Sequence, residues 1–442
     1  MLRKNKLVSN YNLHAFDSAY EIINSQHSSE IEIGKRIIIG ILGTYRGKVA
    51  FKLWNGEQVI GHPNTECCVV IHEAGVLREL ILYRSLSRLA EAYLEGEVSV
   101  EGRIETLFEL ENHLQTQGVS WRKKLHLITL ALQLPPRRNR KLKSNRKHAR
   151  TTHKNSRESI RHHYDVGNAF YRLWLDPEMV YSCAYFRDER QSLAQAQRDK
   201  LDYLCRKLRL QSGQYLLDIG CGWGALAIHA AKKYGVHVYG ITLSQEQQIY
   251  AQERIQAEGL ERQVRIDLLD YRELPRQEKY DRVISVGMFE HVGIKNYPIY
   301  FGIVKQILKP GGLFLNHGIT SETGWRRTPF TRFINRYIFP DGELARISDV
   351  AHAMEDCGFE ILDVEGLRCH YVYTLRHWIQ ALEENKDQAI QCSSAETYHL
   401  WRLYMSGSAY YFNEGSIGVY QLLVGHRHDP LPVPLRRDDL YR

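Results

Sequence analysis

Two residues able to move a proton stand at the ends of neighbouring apolar runs: Glu290 in Met288-Phe289-Glu290-His291-Val292-Gly293, and His317 in Asn316-His317-Gly318-Ile319. A carboxylate and an imidazole brought together are a general acid–base pair, and open α/β sheets hold ligands beyond the carboxyl ends of their strands. A lone histidine is more often structural, and His291 reads equally as a loop residue, but two polar groups at adjacent strand ends favour function. Upstream, Leu216-Leu217-Asp218-Ile219-Gly220-Cys221-Gly222-Trp223-Gly224 carries an apolar strand into a DxGxGxG loop and then a helix. Glycines there let backbone approach a ligand where a Cβ would collide, and the helix N-terminus points at the bound group. The spacing is not the GxGxxG of a dinucleotide site. The plain alternative is a tight strand-to-helix connection.

Further candidates flank these. The second strand ends in Ile241-Thr242-Leu243-Ser244-Gln245-Glu246-Gln247, where adenosine-binding folds commonly place an acid for the ribose; hydroxyls and amides stand here instead. Ser244 is equally an N-cap for the next helix. After the third strand, Asp270 offers a carboxylate to an adenine amino group and Tyr271 a ring to the base; a surface loop is the competing reading. Ile160 to Tyr171, and Tyr181-Ser182-Cys183-Ala184-Tyr185-Phe186, set aromatic rings beside polar groups. That suits an apolar substrate near a cation, or an aromatic core face.

The elements that must position these residues alternate. Tyr215 to Ile219, Val236 to Thr242, Val264 to Leu268, Arg282 to Val286 and Leu313 to Asn316 read as strands, with helices over Ala225 to Tyr234 and Gln245 to Ala257. Strand–helix alternation predicts a largely parallel sheet covered on both faces. Before residue 135 the pattern differs: Lys48 to Trp54 alternates, Asn55-Gly56 offers a turn, Cys67 to Ile71 is an apolar run and Leu77 to Leu94 has helical spacing. This is a small α+β domain without a catalytic constellation. A chain of 442 residues is expected to hold two domains. They are 1–135 and 159–442, joined by a linker over 136–158.

Charge marks that linker. Ten Lys/Arg and no acid lie between Arg137 and Arg157, after Pro135-Pro136, so the rest of a chain of net charge +8 is close to neutral. The block reads as an exposed segment able to attract a polyanion, nucleic acid or an anionic membrane face, or as a solvated tether. No run approaches the ~20 apolar residues of a membrane helix, and the basic N-terminus has no apolar stretch of a signal peptide. A cytoplasmic protein is expected. The eight cysteines form no CxxC pair, which suggests neither a metal site nor a disulfide framework.

HYDVGNAFYRLWLD, YSCAYF, LLDIGCGWG, GITLSQEQ, SVGMFEHVG, NHGI and HYVYTLRHW occur in order from about Ser159 to the end. Together they resemble the cyclopropane-fatty-acyl-phospholipid synthase family, which includes the mycolic acid cyclopropane synthases. The glycine loop itself looks like the S-adenosylmethionine loop of class I methyltransferases. The resemblance implies a Rossmann-like, mostly parallel seven-stranded sheet preceded by a small lipid-associated domain.

It further implies S-adenosylmethionine as donor, contacted by Tyr181, Ser182, Leu217, Asp218, Ile219, Gly220, Cys221, Gly222, Trp223, Gly224, Ala225, Thr242, Leu243, Ser244, Gln245, Glu246, Gln247, Asp270 and Tyr271. Bicarbonate would be held by Cys183, Glu290, His317, the backbone of Ile319, and Tyr371. The implied reaction adds a methylene unit across a cis double bond of a phospholipid acyl chain, through a carbocation deprotonated by bicarbonate. Partners would be unsaturated phospholipids at the inner membrane face, with a homodimer allowed and nucleic acid not expected. Where many members carry a cysteine, Ser408 stands, a poor substitute for a thiolate, so a covalent cysteine mechanism there is rejected. Methylene- or methyl-branched fatty acid formation and small-molecule N-methylation are the alternatives. Nucleic-acid methylation lacks an NPPY-like tetrapeptide and stacking aromatics in the basic block. A scaffold with a decayed site sits poorly with so complete a set of motifs.

Overall fold

The computed structural model describes residues 28–83, 86–116, 120–137, 166–324, 326, 328–339, 342–430 and 432–441. They fall into two compact units, divided at residues 146 and 147.

The first unit contains a four-stranded sheet of β1 (Val49–Lys52), β2 (Gln58–Ile60), β3 (Cys67–Ile71) and β4 (Val98–Gly102), in the order β2-β1-β3-β4. Every residue of β3 is buried, as a central strand covered on both faces requires. Asn55-Gly56 makes the expected turn: Asn55 Oδ1 accepts the Glu57 amide at 3.1 Å, and Gly56 takes a φ of 81°. The helical pattern expected as one stretch divides into Ala74–Tyr83 and Leu86–Leu94.

Arg137 corrects the reading of the linker. Expected as the first residue of an exposed basic block, it is 6% exposed and ion-paired with Glu97, with Glu95 at 2.7 Å and with Glu79 at 3.4 Å. Three carboxylates on one guanidinium tie Arg137 to this unit, because a buried fork of donors is stable only when its acceptors are supplied. The rest of the basic block, through Arg157, and the segment Ile160 to Asp165 lie outside the described residues.

The second unit is an α/β fold around a seven-stranded sheet. Its strands are β5 (Tyr215–Ile219), β6 (His237–Thr242), β7 (Val264–Leu268), β8 (Tyr280–Val286), β9 (Leu308–Ser321), β10 (Phe359–Gly366) and β11 (Ile417–His426), in the order β10-β11-β9-β8-β5-β6-β7. Pairing is parallel from β9 to β7 and antiparallel for β10 and β11. The class I methyltransferase expectation therefore holds. From β5 the chain runs outward through β6 and β7, then returns to lay β8 on the other side of β5. That reversal opens a crevice beyond the ends of β5 and β8, the place where such sheets receive ligands.

One strand end differs from expectation. β9 continues past Asn316 to Ser321 because β11 pairs with it from Leu313↔Gly425 to Ser321↔Ile417. His317 is therefore within a strand. It is still the last rung of the parallel part, opposite Val286 of β8. Beyond it, the β8 side of β9 is open to the loop that follows β8.

Apolar side chains of the sheet feed separate cores: Leu216 joins one, while Leu217 and Ile219 join another. A third is aromatic, built on Phe170, Tyr171, Trp174, Trp378 and Trp401, all at most 2% exposed. Of the described rings in HYDVGNAFYRLW, Phe170, Tyr171 and Trp174 are thus core. Tyr181 and Tyr185 are among the half-buried rings at its margin.

Candidate active site

The glycine loop is built for close approach. Gly220 and Cys221 both donate their amides to the Ile241 carbonyl, at 2.9 and 3.0 Å, which folds the loop back over β6. Gly220 takes a φ of 85°, and a Cβ there would press on the Met288 side chain at 3.1 Å. The loops following β5 and β8 therefore touch across the crevice. Gly224, with a φ of 83°, caps the helix Ala225–Tyr234, and a Cβ would meet Ala251 and Ile266. Trp223 donates its indole N–H to Asn168 Oδ1 at 2.7 Å, tying the loop to the preceding segment.

That segment is held from beneath by the helix Leu193–Lys207. Gln197 Nε2 donates to the carbonyls of Ser182 (2.9 Å) and Val180 (3.3 Å), and Lys200 Nζ donates to Ser182 Oγ at 2.8 Å. Asp176 accepts the amides of Val180 and Glu178. Tyr181 and Ser182 are thus fixed in position, and Asp218 at the end of β5 is buried.

At the end of β6, Ser244 is an N-cap: its hydroxyl accepts the Gln247 amide at 3.4 Å. Thr242 Oγ1 donates to Gln247 Oε1 at 2.7 Å. Gln245 and Glu246 are exposed and Leu243 is half-buried. After β7, both oxygens of Asp270 are engaged by Arg272, at 2.8 Å to Nε and 2.5 Å to Nη2. Asp270 is the buried cap of a short 3-10 turn, and Tyr271 stacks edge-on to Tyr300 at 5.1 Å.

Both proton-handling residues are tied to β9, Glu290 against it and His317 within it. Glu290 lies in a 3-10 turn, Phe289–His291, directly after β8, and its Oε1 accepts the Ile319 amide at 2.6 Å. Gly318 permits this: a Cβ there would run into the Phe289 ring and come within 3.0 Å of Glu290 Oε1. Burial raises the Glu290 carboxyl to about 7, opposed by its backbone hydrogen bonds. Its Oε2 is buried with no partner among the described residues. The Ile319 N–H, expected to face an anion, is committed to Glu290.

His317 is 2% exposed, and burial, with Lys200 and Lys207 adding, holds its ring down at about 3. It stays neutral. His291 is likewise lowered by burial, to about 4, and packs against Phe339.

Sequence reasoning missed two partners. Gln421, facing His317 across β11 and β9, meets its Nδ1 with Nε2 at 3.1 Å. Tyr404 interacts with Tyr181 and Ser408, and feels the charge of Glu290; burial raises its hydroxyl to about 12. A glutamine within the apolar run Val419 to Val424 was the available signal for the first. Tyr371 is buried against Phe412, with ring centroids 4.7 Å apart. The Cys183 thiol is fully buried, 3.3 Å from the Ala184 carbonyl, and burial raises its pKa, so it is no nucleophile.

The arrangement offers a glycine-cradled crevice beside a buried carboxyl and a neutral imidazole, walled by aromatic rings. Residues 151–422 match the family model described as mycolic acid cyclopropane synthetase, which is more than half of the chain. A probable fatty acid methyltransferase of Pseudomonas putida is 42% identical over 401 residues, covering 88% of this chain and 95% of that protein. The cyclopropane-fatty-acyl-phospholipid synthase of Escherichia coli is 42% identical over 262 residues, 59% of this chain and 66% of that one. Among solved structures, cyclopropane synthase MmaA2 from Mycobacterium tuberculosis is 37% identical with a TM-score of 0.58, covering 62% of this chain and 98% of that chain. A mycolic acid cyclopropane synthase complexed with S-adenosylhomocysteine (SAH) and CTAB matches equally, at 37% and 0.58, over 61% of this chain and 97% of that chain. The chain belongs to the mycolic acid cyclopropane synthetase family and is an S-adenosylmethionine-dependent methyltransferase.

Proposed function

We propose that the chain converts the cis double bond of an unsaturated phospholipid acyl chain to a cyclopropane, using S-adenosylmethionine as donor and bicarbonate as base. The observation that carries this reading is the pairing of Glu290 on Ile319 and of Gln421 on His317, two nearby positions of β9. Transfer to an alkene leaves a cation whose only escape to a ring is loss of a proton from the new methyl. S-adenosylmethionine supplies the electrophilic methyl. The loop Leu217 to Ala225 and the strip Tyr181-Ser182 hold the donor, and the buried aromatic wall excludes water that would quench the cation.

The residues present suit a small oxyanion that itself carries a proton. Glu290 Oε2, Gln421 Oε1 and Ser406 Oγ are buried polar atoms without partners among the described residues. Gln421 donates to His317 Nδ1, which leaves the Nε2–H as a donor. Cys183 and Tyr371 border the same aromatic core. A bicarbonate held there would supply the base, with Glu290 orienting it and the neutral His317 ring donating to it through Nε2–H.

No helix among the described residues is long and apolar enough to cross a membrane. A bilayer substrate then requires docking at the surface, for which the basic stretch before residue 158 is suited. The test is incubation with methyl-labelled donor and unsaturated phospholipid vesicles, followed by NMR of the released acyl chains. Cyclopropane signals are expected. Label appearing only in an amine or a nucleic acid would defeat the reading. A methyl- or methylene-branched product is the second reading, favoured by the fatty acid methyltransferase relative; the same NMR spectrum separates it.

A further inference from the structure

The run Leu313-Phe314-Leu315-Asn316 of β9 is apolar until its last residue. Asn316 is 0% exposed, and neither its amide oxygen nor its amide nitrogen has a hydrogen-bond partner among the described residues. It shares one face of the strand with Phe314 and Gly318, because side chains alternate along a strand. Its neighbours across the sheet are Ser285 of β8 and Leu422 of β11. Phe314 and Leu422 belong to the core that also takes Leu217 and Ile219, so the amide points into a layer where a leucine would be the ordinary residue.

Glu290 closes the top of the same layer. A Cβ on Gly318, one pleat above Asn316 on that face, would come within 3.0 Å of Glu290 Oε1. The other oxygen, Oε2, is buried and unpartnered among the described residues, as is the hydroxyl of Tyr297. Tyr297 and Tyr300 lie on the helix Tyr297–Ile307 and pack into this core. Tyr300 interacts with Ser285, and both tyrosines feel the Glu290 charge. Outward, the Tyr300 ring meets the half-buried Tyr271 at 5.1 Å. Polar groups thus run from Glu290 through Tyr297, Tyr300 and Ser285 to Asn316 inside one core. A buried amide left unpaired is costly, and a polar recess offering about two to four partners is what holds buried water.

We propose that Asn316, Ser285, Tyr297 and Tyr300 hold buried water beneath Glu290, and that this water carries away the proton released in each turnover. The inference rests on the proposed reaction and adds the proton's route out. The C–H bond of the transferred methyl breaks and its electron pair closes the ring. The proton passes by way of the base to Glu290 Oε2, then to the water on Asn316. Oε2 has two lone pairs, one toward the base and one toward the water, while the Ile319 amide on Oε1 holds the carboxyl still. The base is regenerated and Glu290 ends the cycle ionised, so no further reactant is needed. An Asn316 that only filled space would be replaceable by an apolar residue of its shape.

Asn316→Leu in the full chain keeps the shape and removes the amide. A crystal structure of the native protein is expected to show ordered water within hydrogen-bond distance of both the Asn316 amide and Glu290, and the variant to lack it. A dry native recess, or water unmoved in the variant, overturns the assignment. The variant should melt no lower than the native protein and keep donor KM within about threefold, while kcat near pH 7 falls by at least about tenfold. Because water on Oε2 favours the ionised carboxylate, the rising limb of kcat against pH should move up by at least about one pH unit. The other groups beside Glu290 do not account for such a move: burial raises Tyr297, Tyr300 and Tyr404 and lowers His291 and His317. Glu343, which accepts the Ile294 amide at 3.1 Å, is common to both proteins. An unmoved limb, or kcat within about threefold of native, overturns the proton route. Ser285→Ala, a smaller change beside the same water, is expected to move the limb in the same direction and serves if Asn316→Leu does not fold. A native protein that transfers no methyl to lipid would remove the reaction and its proton route together, while the hydrated recess is decided by the crystal structure alone.

Discussion

Gln421 and His317 face one another across the antiparallel β9–β11 ladder, and Gln421 Nε2 approaches His317 Nδ1 at 3.1 Å. An amide nitrogen only donates, so Nδ1 accepts and the ring proton is placed on Nε2. Both residues are at most 2% exposed, and burial keeps the ring neutral. Gln421 is therefore a positioning residue that sets which edge of His317 can donate.

Changing Gln421→Leu keeps the volume and removes the donor. Turnover is expected to fall by at least about tenfold, the scale at which orienting partners act, with donor KM unchanged. In Gln421→Glu the partner becomes an acceptor, so the ring proton moves to Nδ1. Nitrogen NMR of labelled histidine reports the tautomer directly, and an unchanged spectrum in both variants would refute the assignment.

Glu290 gives a pH signature. Its carboxyl is raised to about 7 from an ordinary 4.5, so between those values the folded chain binds more protons than the unfolded one. Stability must then fall as pH rises through that window. Glu290→Gln lacks this loss: it should melt higher than the native protein at pH 8, by up to about 3 kcal/mol of stability, and equally at pH 4. Activity moves the other way. If the ionised carboxylate is the competent form, native kcat/KM rises to a plateau above about 7, and the variant loses on the order of 100-fold in kcat.

Gly318 tests the close packing of the turn on β9. A methyl group there meets the Phe289 ring and Glu290 Oε1. Gly318→Ala should cost about 1–3 kcal/mol in thermal or denaturant unfolding, as overpacking does. It should reduce kcat with little change in donor affinity, because the glycine loop lies on β5. Wild-type stability and turnover together would contradict the geometry.

Arg137 and the basic residues after it should separate. Arg137→Ala leaves Glu97 buried without its guanidinium and should destabilise the first unit by about 3 kcal/mol in unfolding measurements. Neutralising the basic residues from Arg138 to Arg157 should leave that stability unchanged. Vesicle association should weaken by about 1 kcal/mol for each residue that engages an anionic surface, and lose its salt dependence. Unchanged vesicle binding would make the stretch a tether.

Much of this was legible in the sequence. The DxGxGxG turn, the strand–helix alternation and the segments around Glu290 and His317 are local patterns, because backbone freedom, apolar runs and the direction of a strand are set by neighbouring residues. The edge strand β10 was not legible: its residues FEILDVEG are half-exposed and charged, without a clean apolar period. Nor was the full length of β9, since its last residues extend only because β11, about a hundred positions later, pairs with them. The same long-range pairing puts Gln421 on His317. Arg137 looked like its basic neighbours until its three glutamates were brought to it by the fold. Sequence alone thus determined the kind of fold, the donor loop and the residue types available for proton transfer. Tertiary structure decided which polar atoms are taken and which are left, because hydrogen-bond partners and burial arise between residues far apart in the chain.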